Sequence, residues 1–166
     1  MANASESIPQ EWFRRVWNEL DSTAIDELFG EESVAHGLGK DSIRGPRQFR
    51  EFHRAFTVVF RAIRTTILQE LQSDDRAAIW AKVSLIPPGH SEPVEFEGCS
   101  ISIVRGRQIV ESWNSWNFLG LLEEMRVLPT ESLQLALGGR LKAYALPAAE
   151  TPAKEKQGAS HHHQPG

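Results

Sequence analysis

The chain has 166 residues, 40% hydrophobic and 24% charged, with a formal net charge of -4 and a pI near 5.9. That size suits one domain with an ordinary core, and the acidic balance argues against a nucleic-acid binder, which would carry a basic stripe. Cys99 is the one cysteine, so an intramolecular disulfide is excluded. No apolar run approaches the roughly 20 residues of a membrane span.

In chain order, Ser7 offers an N-cap and Pro9 suits a first helical turn. Trp12, Phe13, Val16, Trp17 and Leu20 follow at helical spacing. The stretch LDSTAIDELFGEES reads as a second short helix, capped by Asp21 or Ser22 and stopped by Gly30. ESVAHGLG is a short extended segment carrying His36. GPRQFREFHRAFTVVFRAI predicts a third helix, with Phe49, Phe52, His53, Phe56, Val59 and Phe60 on its period. IRTTILQELQSD and RAAIWAKVSLIPP then read as strands about a turn at SDDR. VEFEGCSISIVRG alternates at period two and enters a hairpin at RGRQ, from which QIVESWNSW returns. FLGLLEEMRVLP predicts a helix, and TESLQLALGGRL one more from Thr130.

From about residue 144 the composition turns to Pro, Ala, Gly, Lys and Glu. A single domain over 1–143 and a disordered tail over 144–166 are expected. His161, His162 and His163 in that tail would bind a metal loosely at most, or are a tag remnant. The N-terminus has neither a basic n-region nor an apolar h-region, so a soluble cytoplasmic protein is expected. Helices segregated from a run of hairpin-connected strands define the α+β class. A curved antiparallel sheet wrapped around the N-terminal helices would form a cone with a pocket.

At GRQIVESWNSWNFLGLLEEM the sequence resembles the SnoaL-like polyketide cyclases, within the nuclear-transport-factor-like superfamily of cone-shaped α+β domains. The turn glycine is Gly106, the strand Ile109, Val110, Glu111 and Trp113, and the helix Leu119, Gly120, Leu121 and Leu122. Upstream, His36, Gly45, Phe49 and Phe56 stand at the family's histidine, glycine and helix. The resemblance covers about residues 8–128. It implies a cofactor-free, metal-free small-molecule enzyme, acting by proton transfer on a hydrophobic, polyketide-like substrate: cyclisation, isomerisation, dehydration or hydrolysis. It also implies a homodimer paired through the sheet. One departure stands out. Where many members have the aspartate credited with proton transfer, this chain has Asn117, and an amide can only hydrogen-bond.

His36 is the candidate acid or base, because an imidazole exchanges protons near neutral pH. The alternative is an ordinary half-exposed histidine at a strand end. Asn117 and Asn114 would orient a carbonyl or a water, and Asn117 would equally serve as a helix N-cap. On a regular final strand, Glu111, Trp113 and Asn117 share one face, and Ser112, Asn114 and Trp116 the other; a bulge would exchange the sets locally. Glu97 or Glu111, if buried, would have a raised pKa and replace the missing acid; the alternative for Glu111 is a surface ion pair with Arg105 or Arg107. Trp80, Trp113 and Trp116 would stack on a flat ligand, or serve as core or dimer interface. His53 and Phe56 would line the same pocket, His53 alternatively being a satisfied core histidine. No zinc spacing, phosphate loop or Ser-His-Asp order occurs. A noncatalytic binding or dimerisation module is the competing reading, and a titratable group pointing inward is what separates the two.

Overall fold

The structure is a computed structural model that describes residues 6–140. The chain divides into two units, Met1–Ser132 and Leu133–Gly166. The boundary expected at 143/144 and the histidine run lie outside the described residues.

The first unit opens with α1 (Ile8–Trp12), closed at its start by a reciprocal capping box between Ser7 and Gln10. The chain continues without a break as a π-helical segment, Phe13–Asn18. Such segments are rare and widen the turn. Helix α2 (Thr23–Leu28) follows, with Asp21 Oδ1 accepting from the Thr23 amide at 3.0 Å. The Thr23 hydroxyl and the Arg15 guanidinium hold the Asp21 carboxyl down at about 2. Strands β1 (Val34–His36) and β2 (Ile43–Arg44) precede α3 (Gly45–Val59). Helix α3 ends at Val59, short of the expected Ile63: it closes on the β-branched run Thr57-Val58-Val59, which weakens its last turn, and Phe60 turns extended. Then come β3 (Arg61–Ser73), β4 (Arg76–Ile86), β5 (Val94–Arg105), β6 (Gln108–Trp116) and α4 (Phe118–Glu124). Helix α5 (Ser132–Leu137) starts two residues later than Thr130, after Glu131 adopts a positive φ of 62°.

The strands form one sheet in the order β2-β1-β6-β5-β4-β3. It is antiparallel except where β1 runs parallel to β6, Ala35 opposite Ser112. Register shifts bend it, twice in β3 and once between β5 and β6. The inner face is apolar: Ala77, Ile79, Ala81, Val83 and Leu85 of β4 are buried, as are Val94 and Phe96 of β5. Against it pack Trp12, Phe13 and Val16 of the first helix, Ile25 and Leu28 of α2, and Phe49 of α3. The sheet is curved but does not close, and the helices complete a cone.

Among the described residues no helix is long and apolar enough to cross a membrane.

Candidate functional site

A cavity of about 70 Å³ lies between the inner face of the sheet and the N-terminal helices. Its wall is aromatic. Trp12 and Phe13, Trp17 from the π-helical segment, and Phe49, Phe52 and Phe56 from α3 meet Phe96 and Trp116 of the sheet. Their rings pack mostly edge to face: Trp12 meets Phe49 at 4.8 Å between centroids, and Trp17 meets Phe56 at 5.5 Å. Gly98 makes room for Trp116, since a Cβ there would stand 2.5 Å from the indole carbon Cε3.

The polar part of the wall comes from two neighbouring strands. Ser100 faces Asn114 and Ser102 faces Ser112 across the β5–β6 pair, and all four line the cavity. The three serines are buried. Asn114 Nδ2 donates to the His36 carbonyl at 2.9 Å and to Ser112 Oγ at 3.3 Å. Gly37 permits that approach: its φ is +79°, and a Cβ would lie 2.0 Å from the Asn114 carbonyl oxygen. Thr65 also lines the cavity, but its hydroxyl is held by Asn18 Oδ1 at 2.9 Å.

The bulge in β6 decides which residues face inward. Ile103 pairs with Glu111 and Val104 with Ile109, so Val110 has no opposite number. Ile109 therefore faces the cavity together with Ser112, Asn114 and Trp116. Glu111, Trp113 and Ser115 fall on the outer face.

His36 lies on that outer face, at the end of β1. Its Nε2 donates to Glu111 Oε1 at 2.9 Å, Ser42 Oγ is 2.8 Å from Nδ1, and its ring stacks on Trp113. Glu111 thus pairs with His36 instead of an arginine; Arg107 reaches Glu11 at 2.9 Å. Trp80 and Glu97 join to each other, Nε1 to Oε2 at 2.8 Å, also outside the cavity. Asn117 caps α4: its Oδ1 accepts from the Gly120 amide at 3.0 Å, and its side chain is exposed. His53 is buried beside Trp17 and donates from Nε2 to the Val16 carbonyl at 2.8 Å, outside the lining set. Burial lowers its pKa, and the bond to Val16 opposes that only in part.

Of the residues singled out in the sequence, Phe56, Trp116 and Asn114 thus share the cavity. His36, Trp113, Trp80 and Glu97 share the opposite face of the sheet. Ser100, Ser102 and Ser112 were not singled out. The first two stand at the same parity as Val94 and Phe96, and that alternation was the signal for them. Among the described residues no group of three or more His, Cys, Asp or Glu side chains is placed to hold a metal ion.

A curved sheet closed by helices into a cone with an apolar interior defines the class. The family model described as the SnoaL-like domain matches residues 10–112, and the chain belongs to that family. Solved structures agree on the fold. A hypothetical protein of ketosteroid isomerase-like fold from Catenulispora acidiphila, in complex with trimethylamine, is 18% identical with a TM-score of 0.63, covering 70% of this chain and 89% of its own. A candidate polyketide cyclase from Acidithiobacillus ferrooxidans is 16% identical with a TM-score of 0.65, covering 76% and 99%. The protein IdmH of Streptomyces antibioticus, another candidate polyketide cyclase, is 18% identical with a TM-score of 0.63, covering 72% and 96%. No match was found among the curated proteins.

Proposed function

We propose that this domain captures a small hydrophobic molecule in its cone without performing proton-transfer chemistry on it. One observation carries the reading: among the residues lining the cavity, ten are aromatic and none titrates near neutral pH. General acid–base catalysis needs a group within hydrogen-bond reach of the proton it moves. The polar groups within reach here are hydroxyls and an amide. An apolar, largely preformed wall with a few convergent polar groups is the usual form of a small-molecule site.

The family gives the second reading its support, since its members are often polyketide cyclases. On that reading the domain would be a cofactor-free enzyme acting on a polyketide-like substrate, with His36 as the proton carrier and Asn114 and Asn117 orienting the substrate. His36 would then have to leave Glu111 and reach past the sheet.

Two measurements separate the readings. Methylcyclohexane should change the fluorescence of Trp12, Trp17 and Trp116, and Ser102→Phe, which fills the cavity, should abolish the change. Cyclohexanone in deuterated buffer should exchange its α-protons no faster with the protein than without it. Accelerated exchange that His36→Ala removes would overturn the binding reading in favour of the enzyme.

A further inference from the structure

We infer that the cavity selects an uncharged ligand whose polar end both donates and accepts a hydrogen bond, a hydroxyl above all, seated between Ser112 and Asn114. This rests on the binding reading above and adds the chemistry of the head group.

The orientation of the Asn114 amide is set by its partners. The His36 carbonyl can only accept, so the group 2.9 Å from it is the Asn114 NH₂ and not its oxygen. The same nitrogen also points at Ser112 Oγ. Asn114 therefore spends its donors on the protein. Its Oδ1 has no hydrogen-bond partner among the described residues, and no unpartnered side-chain polar atom there is sealed from solvent. That oxygen is an open acceptor on a cavity-lining residue.

Ser112 complements it. Its oxygen accepts from Asn114, which leaves its O–H free to donate. The site thus presents an acceptor and a donor side by side. Across the strand pair, Ser102 is 4% exposed and Ser100 7%. Neither hydroxyl has a side-chain partner among the described residues, and both line the cavity. A hydroxyl on the ligand satisfies Asn114 Oδ1 and Ser112 O–H together. A ketone satisfies only the serine and leaves the amide oxygen dry and unpaired, which is the costly case.

Charge is selected against on the same wall. A buried ion needs a partner of opposite sign, and none of the lining side chains supplies one. The body of the ligand is bounded by the volume: about 70 Å³ holds roughly five to seven water-sized groups, the scale of one ring.

The test is a calorimetric titration of the full chain with ring probes that differ at one substituent: cyclohexanol, cyclohexanone, methylcyclohexane, cyclohexanecarboxylate and cyclohexylammonium. Cyclohexanol should bind about tenfold tighter than cyclohexanone or methylcyclohexane, in line with one unpaired buried acceptor. The two ions should bind more weakly than methylcyclohexane. Ser112→Ala should bring cyclohexanol down to the methylcyclohexane level measured on the same variant; Asn114→Leu should do the same, and Ser112→Ala decides if that variant does not fold. Equal affinity for cyclohexanol and methylcyclohexane, or tighter binding of the ketone or of either ion, overturns the inference and leaves the cavity as a binding site. Failure of every probe to bind overturns the binding reading as well.

Discussion

The side-chain amide of Asn114 holds the main-chain carbonyl of His36 at 2.9 Å, tying the cavity wall to the strand that carries the His36–Glu111 pair on its other face. The bond sits where β1 leaves the sheet at Gly37. Asn114→Ala strips the half-buried carbonyl of its donor and should cost about 1–3 kcal/mol, read as a lower urea midpoint with an unchanged slope. Asn114→Asp sets acceptor against acceptor. It should cost more at neutral pH and recover part of the loss on acidification, because protonation gives the carboxyl a donor.

Asn117 separates a structural role from a functional one. Its side chain caps α4 through the Gly120 amide. Asn117→Ala should therefore cost about 1 kcal/mol and leave the affinity for methylcyclohexane unchanged. Asn117→Asp keeps the acceptor and should keep the stability. A large loss of affinity in either variant would return Asn117 to the ligand site.

His53 should make the fold sensitive to mild acid. Burial lowers its pKa in the folded chain. Below the unfolded value, near 6.5, the unfolded state therefore binds more protons than the folded one. Stability should rise with pH through that window and fall as pH drops from about 7 to about 5. Thermal melts over this range should show it. His53→Gln, which keeps a donor for Val16, should flatten the slope; an equal slope would assign the effect elsewhere.

The outer face of the sheet carries the dimer expectation. Leu71, Ala78, Ile101 and Trp113 stand opposite one another across four strands, and Leu71, Ile101 and Trp113 are exposed, as is Trp80 in the adjoining row. Apolar surface of this kind is the form an interface takes, and we propose that a second copy of the chain covers it. Light scattering at micromolar concentration should report twice the chain mass. Ile101→Lys should halve it without loss of the fold. A monomeric parent chain would refute the pairing.

The sequence made the fold legible where one pattern ran unbroken. The aromatic period of α3 and the alternation of β5 each named the buried face, and the resemblance around Gly106–Leu122 supplied the cone. The site was less legible because it hinges on one unpaired residue. Val110 has no opposite number, and everything beyond it changes face relative to Ile109. A parity argument cannot locate such a bulge without the partner strand, so Glu111 and Trp113 looked as close to the pocket as Ser112 and Asn114. The asparagine before Phe118 was readable as a cap because capping is local. The partner of His36 was not, because Glu111 lies 75 residues away.

The parallel pairing of β1 with β6 has a consequence for the order in which the molecule is made. Hairpins β3–β4, β4–β5 and β5–β6 join neighbours in sequence and can zip as soon as they emerge. The contact of Asn114 with His36 spans 78 residues, and no part of it can form until the chain has been synthesised past Trp116. Strands β1 and β2 must therefore wait through the synthesis of four strands, and until β5 and β6 emerge the N-terminal helices can cover only part of their aromatic faces, against one another and against β3 and β4. Long-range closure of this kind is slow and leaves such surface open to aggregation. A ribosome stalled before β6 would display a three-stranded meander with β1 and β2 still unattached to it.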